Sequence, residues 1–292
     1  MNILVTGASG QLGHDLVIEL RKRGHSVTGV SSRELNLTDP AAVRAYLNAM
    51  RPNVVMHCAA YTAVDKAEDD TEACLAVNHL GTKAVADACA EIGCKLLYIS
   101  TDYVFPGDGE RPWEPEDVTN PLNLYGKSKL LGEEAVRAAT DKHFIVRISW
   151  VFGVNGKNFV KTMLRLGAER DKLTVVNDQF GSPTYTKDLS VLLADMVVTE
   201  KYGTYHATNE GICSWFEFAS AIIAEAGLPA KVLPVSSDQY PSRAKRPSNS
   251  RMSKEKLTAN GFNPLPTWQD ALCRYLEELK EKEHGKDQSH DL

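Results

Sequence analysis

Six cysteines stand in the chain, at 58, 74, 89, 94, 213 and 273, and none pair as CxxC. That spacing argues against a structural zinc site. The eight histidines fall into no HExxH or other ligand spacing, which removes the familiar zinc-hydrolase pattern. No apolar run approaches the roughly 20 residues needed to cross a bilayer. The opening "MNILVTGASG" carries no signal-peptide pattern, so the expectation is a reducing cytoplasm with cysteines serving mostly as core residues. Excess positive charge is also missing: the formal net charge is -5. A nucleic-acid binder would show a basic face, so neither nucleic acid nor membrane is expected as a partner. No internal repeat is visible.

What is present is an ordinary soluble composition, 43% hydrophobic and 24% charged over 292 residues, enough for one large domain or one domain with a smaller companion. In the first half, short apolar runs alternate with helical periodicity. "NILVTG" reads as a strand, "GQLGHDLVIELRKRG" as a helix with Leu12, Leu16 and Leu20 on one face, and "SVTGV" as a second strand. "DPAAVRAYLNAMRP" reads as a helix with Asp39 as N-cap and Pro40 at its first position. "VVMHCAA", "KLLYIST" and "HFIVRIS" read as buried strands, with one long helix over "DTEACLAVNHLGTKAVADACAEIG" and another from Tyr125 to Ala138 between them. Strand–helix alternation with apolar strands implies an α/β fold, a doubly wound parallel sheet covered on both faces. The pattern loosens after Trp150, which predicts a smaller C-terminal substrate-binding domain. The expected division is 1–150 with about 173–200 in the first domain, 151–172 and 201–283 in the second, and 284–292 as a polar tail. Ser214 should open a helix over "SWFEFASAIIAEAG", and a last helix should run from Trp268 to about Lys282.

"TGASGQLG" sets Gly7, Gly10 and Gly13 between the first strand and the first helix. A glycine turn there lets backbone N–H groups approach a pyrophosphate at a helix N-terminus, the Rossmann arrangement for a dinucleotide. The end of the second strand chooses between the two nicotinamide cofactors. An acid there would hold a ribose 2′-hydroxyl, but the chain reads "GVSSRELNLTD", with Arg33 before the first acid, Glu34. A guanidinium suits a 2′-phosphate, so NADPH is expected, with NADH left open; the alternative is an Arg33 that points into water.

The stretch "NPLNLYGKSK" places Lys129 one helical turn after Tyr125, on the same face, while Lys127 points elsewhere. A nearby ammonium favours the phenolate and lowers a tyrosine pKa from about 10. Such a tyrosine can deliver a proton to a carbonyl that is accepting hydride. "LLYISTDYVF" ends a buried strand in Ser100, Thr101 and Asp102, and the carboxyl ends of strands line the ligand crevice in such sheets.

With the glycine turn, "CAAYTAVDKAE", "STDYVF", "NPLNLYGKSKLLGE", "RISWVFG", "NDQFGSPTYTKDL" and "RPSNSRM" in this order, the chain resembles the extended short-chain dehydrogenase/reductase family from Met1 to about Leu279. Within it the resemblance is to reductases of nucleotide-linked 4-keto sugars. That resemblance implies reduction of dTDP-4-dehydro-β-L-rhamnose to dTDP-β-L-rhamnose, the last step of its pathway, with rhamnose destined for surface polysaccharide. It implies Tyr125 as proton donor, Lys129 on the nicotinamide ribose, and Thr101 on the keto oxygen. Gly10, Gln11 and Leu12 would meet the pyrophosphate, Asn36 and Leu37 the adenine, and Ala59, Ala60, Tyr61 and Thr62 the ribose side. Asp102, Trp150, Gln179, Arg246 and Asn249 would contact the nucleotide-sugar. Some members are dimers bridged by magnesium through glutamates; the matching positions here include Asp15 and the Lys187–Asp188 region, so no metal site is expected, Mg2+ dependence stays open, and the chain is expected as a monomer or homodimer. Sister 4,6-dehydratases need a glutamate after the strand-end acid, where this chain has Tyr103. An epimerase, or a non-catalytic dinucleotide-binding subunit like the regulatory β subunit of methionine adenosyltransferase, are the alternatives.

Overall fold

The computed structural model describes residues 1–240 and 242–287. The chain begins β1 (Asn2–Thr6), α1 (Gln11–Lys22), β2 (Ser26–Val30), α2 (Pro40–Met50) and β3 (Val54–His57). It continues through the short helices α3 (Val64–Ala67) and α4 (Thr71–Leu75), a π-type segment Ala76–Gly81, and α5 (Thr82–Ile92). Next come β4 (Lys95–Thr101), α6 (Leu124–Ala139) and β5 (His143–Ile148). The main sheet has six strands, all parallel, with Gly203–His206 at one edge beside β5, then β4, β3, β1 and β2.

Alternation explains why these segments are strands. Ile3, Val5, Val54, Met56, Leu97, Ile99, Phe144 and Val146 face one layer, where Leu16 and Leu20 of α1 pack. Leu4, Val55, Leu96, Tyr98 and Ile145 face the other layer with Val43 and Leu47 of α2 and Val85 of α5. Both faces are buried, so the strands read as continuous apolar runs. The order reverses between β1 and β3, the switch point where an open α/β sheet leaves a crevice. Asp39 caps α2 by accepting from the Ala42 N–H, and Ser214 opens a later helix with a full capping box to Glu217, as expected.

The remaining elements are β6 (Val151–Phe152), α7 (Phe159–Glu169), β7 (Lys172–Val176), β8 (Phe180–Gly181), β9 (Thr184–Tyr185), α8 (Thr186–Val197), β10 (Gly203–His206), β11 (Cys213–Ser214), α9 (Trp215–Glu225), β12 (Lys231–Val235), α10 (Glu255–Ala259) and α11 (Trp268–Asp287). A second core gathers Phe152, Phe218, Trp268, Tyr275 and the apolar faces of α7 and α9. The boundaries differ from the expected division at two places. β7 pairs in parallel with β12 over five residues, which puts 172–176 with the second core. β10 pairs with β5, which puts 203–206 in the main sheet; α8, inside the 173–200 stretch assigned to the first domain, covers the α1 face. A four-residue edge strand is too short to reveal its sheet by pattern, and its partner lies far back in the chain. α11 also runs to Asp287, past the expected end; the final residues of the expected polar tail, 288–292, lie outside the described residues.

The long helix expected over residues 70–93 runs without a break from Thr71 to Ile92 but is not α-helical throughout. Its middle turn, Ala76–Gly81, is of π type. The extra residue per turn swings Asn78 inward, where its side chain accepts from the Tyr61 N–H at 2.7 Å and donates to the Tyr61 carbonyl at 3.0 Å and the Ser128 hydroxyl at 2.9 Å. Such bulges are frequent beside functional sites.

Candidate active site

A cavity of about 810 Å³ opens at the carboxyl ends of β1, β3, β4 and β5. The glycine turn forms one end. Gly7 is left-handed, at φ 69°, and a Cβ there would lie 2.7 Å from the Ala59 backbone nitrogen. A Cβ on Gly13 would collide with the Gly7 carbonyl. α1 has no side-chain N-cap and no acid in its first turn. Its free N–H groups and the bare glycine cradle therefore fit a pyrophosphate, on geometry rather than on pattern alone. Gly10, Gln11 and Leu12 all line this end. The Gln11 side chain is not free for a phosphate, however: its carbonyl accepts from the Gly153 N–H at 3.0 Å and the Asn158 amide at 2.9 Å. It ties the 153–158 loop over the turn, and so brings Lys157 to the cavity wall. Lys157 escaped the sequence reasoning because its loop carries no motif of its own.

Asn36 and Leu37 line the cavity beyond β2, and Ala59, Ala60, Tyr61 and Thr62 line it beyond β3. Asn78 clamps Tyr61 from behind, as described above. Arg33 is exposed and sits one residue beyond the lining Ser31 and Ser32. Glu34 is turned back onto Ser31, whose N–H it accepts at 2.8 Å and whose hydroxyl it also binds; these bonds hold its carboxyl below the usual range. The first acid after β2 is thus engaged with its own turn.

Tyr125, Lys129, Thr101 and Asp102 meet on the opposite wall. Asn123 caps α6 by accepting from the Gly126 N–H, which fixes where the tyrosine emerges. Gly126 itself can carry no side chain, because a Cβ would strike the Tyr103 carbonyl. Lys127 is exposed, and Lys129 is buried. The expected charge coupling is corrected here. Burial raises the Tyr125 pKa above its ordinary value, the nearby Asp102 adds to that, and a hydrogen bond with Thr101 opposes it. Lys129 is itself lowered to about 7 by burial, with Glu133 pulling the other way. Its ammonium donates to the Ile99 carbonyl at 2.7 Å and lies 4.1 Å from the centre of the Tyr98 ring. Helical spacing supplied the neighbours; desolvation sets their charge. Asp102 is pushed up to about 6 by burial, although Ser250 and Thr101 hydrogen-bond to it.

At the far end Trp150 lines the cavity in a left-handed conformation, φ 49°. Its ring stacks on Trp215 with centroids 3.7 Å apart, and a Cβ on Gly181 would press on it at 2.9 Å. Packing on both sides holds a backbone that a tryptophan rarely adopts. The other three expected substrate contacts do not line the cavity. Asn249 is buried and spent: its amide donates to the carbonyls of Asp108 at 3.1 Å and Arg111 at 2.9 Å, and its oxygen accepts from Arg251. Arg246 stands behind the wall, paired with Asp65 at 2.7 Å and near the Tyr103 hydroxyl. Gln179 is buried just before β8. Asp15 bonds the Thr186 hydroxyl and Asp188 accepts the fork of Arg274. Among the described residues no cluster of histidine, cysteine or carboxylates is arranged to hold a metal.

Residues 1–281 match the family described as RmlD substrate binding domain. The chain is 41% identical over 276 residues to the spore coat polysaccharide biosynthesis protein SpsK of Bacillus subtilis, covering 94% of this chain and 97% of that one. It is 40% identical over 293 residues to dTDP-4-dehydrorhamnose reductase of Escherichia coli, covering 96% and 98%. Among solved structures it is similar to dTDP-4-dehydrorhamnose reductase from Bacillus anthracis in complex with NADP, at 43% identity and a TM-score of 0.92 over 94% of this chain and 98% of that chain.

Proposed function

Because the chain belongs to the family described as RmlD substrate binding domain, we propose that it reduces the 4-keto group of dTDP-4-dehydro-β-L-rhamnose, yielding dTDP-β-L-rhamnose. The observation that carries this reading is the meeting of Thr101, Tyr125 and Lys129 in one cavity with the glycine cradle. Bound NADPH would supply the hydride that reaches the keto carbon. Gly10, the first N–H groups of α1 and Lys157 would hold the pyrophosphate, and Lys129 the ribose hydroxyls beside the reacting ring. Thr101 would hold the keto oxygen, which gains charge as the carbonyl is reduced. The Tyr125 hydroxyl would then hand its proton to that oxygen. Trp150 would form the wall against which the sugar lies. The 40% relative named as dTDP-4-dehydrorhamnose reductase supports this substrate, and the product's place at the end of its pathway in the cytoplasm follows from the same reading.

Incubation with the keto-sugar nucleotide and NADPH, followed at the nicotinamide absorbance band, tests the reading. Oxidation of NADPH in step with sugar product supports it. Tight cofactor binding with no turnover would instead mark a non-catalytic subunit.

The preference for NADPH rests on Arg33, an exposed cation that follows the cavity-lining Ser31 and Ser32 after β2. Charge-assisted hydrogen bonds at an exposed position contribute about 1.5 kcal/mol, which is roughly tenfold. Arg33→Ala is therefore expected to cut the ratio of kcat/KM for NADPH over NADH about tenfold, with NADH kinetics little changed. Parallel assays with both coenzymes measure this, and an unaltered ratio would return Arg33 to the solvent.

A further inference from the structure

The helix that carries Tyr125 and Lys129 carries two more charged residues at the same interval, Glu133 and Arg137. Glu133 is fully buried. Its carboxylate accepts from the Ser100 hydroxyl at 2.5 Å, from Arg147 at 2.8 Å and 2.7 Å, and from Arg137 at 2.7 Å. Ser100 lines the cavity. The two residues next to it on β4 serve the reactive set: the Ile99 carbonyl takes the Lys129 ammonium, and Thr101 bonds Tyr125. Three successive residues at the end of β4 thus seat three successive turns of α6.

A buried lysine needs a reason to stay charged. The groups that face Lys129 come from each element around it. His57 and Cys58 lie at the end of β3, Cys74 on α4, the Tyr98 ring on β4, and Tyr125 and Glu133 on α6. Burial keeps His57 neutral, with a pKa near 3, and pushes the Cys58 thiol up to about 12. Burial also raises Cys74 and Tyr125. At neutral pH Glu133 is the one anion of this group. Burial alone would raise its carboxyl, but Arg147, Ser100 and Arg137 together hold it below the usual range.

We propose that Glu133 is a positioning residue that keeps Lys129 in its ammonium form for the coenzyme ribose, with Ser100 and Arg147 fixing Glu133 one helical turn below it. This rests on the reading that Lys129 holds the cofactor. The readout is the pH dependence of NADPH affinity, measured by coenzyme fluorescence without any sugar, so that it is independent of the proposed reduction. Lys129 must be protonated to bind, so affinity falls as pH rises through its pKa. Glu133→Gln moves that fall toward acid by about one unit. NADPH binding by Glu133→Gln is then about tenfold weaker than wild type at pH 8 and within twofold at pH 6. Glu133→Asp, which keeps the charge, recovers most of the loss. The alkaline limb of kcat/KM for the keto-sugar nucleotide shifts in parallel. An equal loss at both pH values, or none, overturns the proposal, since a merely structural role would weaken binding uniformly. Should Glu133→Gln fail to fold, Glu133→Gln with Arg147→Met carries a shift of the same sign but smaller, because the opposing charge of Arg147 leaves with the anion; a limb there that stays put or moves toward alkali overturns the proposal too. Absence of keto-sugar turnover by the wild type at every pH, with the NADPH limb shifting as described, would sink the reductase reading and leave this one standing.

Discussion

Tyr125→Phe is expected to bind NADPH within twofold of wild type and to lose about a thousandfold in turnover of the keto-sugar nucleotide. A positioned proton donor contributes typically 10²–10⁴-fold. The phenol here is built to keep its proton until the reaction needs it. Burial raises its pKa, Asp102 raises it further, and Thr101 moderates the effect. It is therefore protonated at any working pH. The oxygen of a ketone gaining hydride becomes an alkoxide, far more basic than a phenolate, so even an elevated phenol gives up its proton to it. That order of basicity fits a donor in the reducing direction better than a ready base. The substitution removes one hydroxyl and keeps the ring, whose edge-to-face contact with Tyr103, centroids 5.5 Å apart, needs no oxygen. Fold and coenzyme site should survive it. Single-turnover absorbance with preloaded NADPH separates the chemical step from binding. Retention of more than a tenth of wild-type turnover would remove Tyr125 from the role.

Short-range chemistry was legible in the sequence and long-range capture was not. The strands could be read because residues such as Leu96, Leu97, Tyr98 and Ile99 are buried on both faces and leave an unbroken apolar run. The glycine turn and the Tyr125–Lys129 interval could be read because turn and helix geometry fix them locally. The π-type turn at Ala76–Gly81 was hidden, since its residues keep an ordinary helical pattern; what inserts it is tertiary, the grip of Asn78 on Tyr61 and the close fit of Gly81 on Leu37. The same holds at the substrate end. Asn249 and Arg246 carry suitable groups, but the 108–111 loop and Asp65 claim them first. Nothing local announces a partner 138 to 181 residues away. Lys129 shows a third kind of blindness: spacing predicts whom it meets, and only burial decides that its pKa falls to about 7.

Arg147→Met is the largest expected loss of stability, about 3–5 kcal/mol at pH 7, the range for stripping one partner from a buried ion pair. Arg147 is 1% exposed. It gives both prongs to Glu133, a third hydrogen bond to the Pro115 carbonyl at 3.0 Å, and its plane lies 4.9 Å from the Phe105 ring. Methionine preserves the packing against that ring, so the cost reports the weakened hold on the Glu133 charge together with the lost hydrogen bond to the Pro115 carbonyl. The pH dependence gives the sign. In the wild type the Glu133 carboxyl is depressed on folding. Its stabilisation is present above the unfolded value of about 4.3 and is lost as pH falls through the lower folded value. Without Arg147, only Ser100 and Arg137 still oppose burial and the carboxyl rises, so the variant can relieve part of its cost by protonating. The gap between the two proteins should therefore narrow as pH drops from 7 toward 4.5. Pairing the change with Glu133→Gln should recover most of it at pH 7, because no uncompensated charge then stays inside. Urea unfolding of the three proteins at both pH values measures this. A gap under 1 kcal/mol at pH 7, or one that widens in acid, would mean that the arginine is held in place by packing and that its charge contributes little.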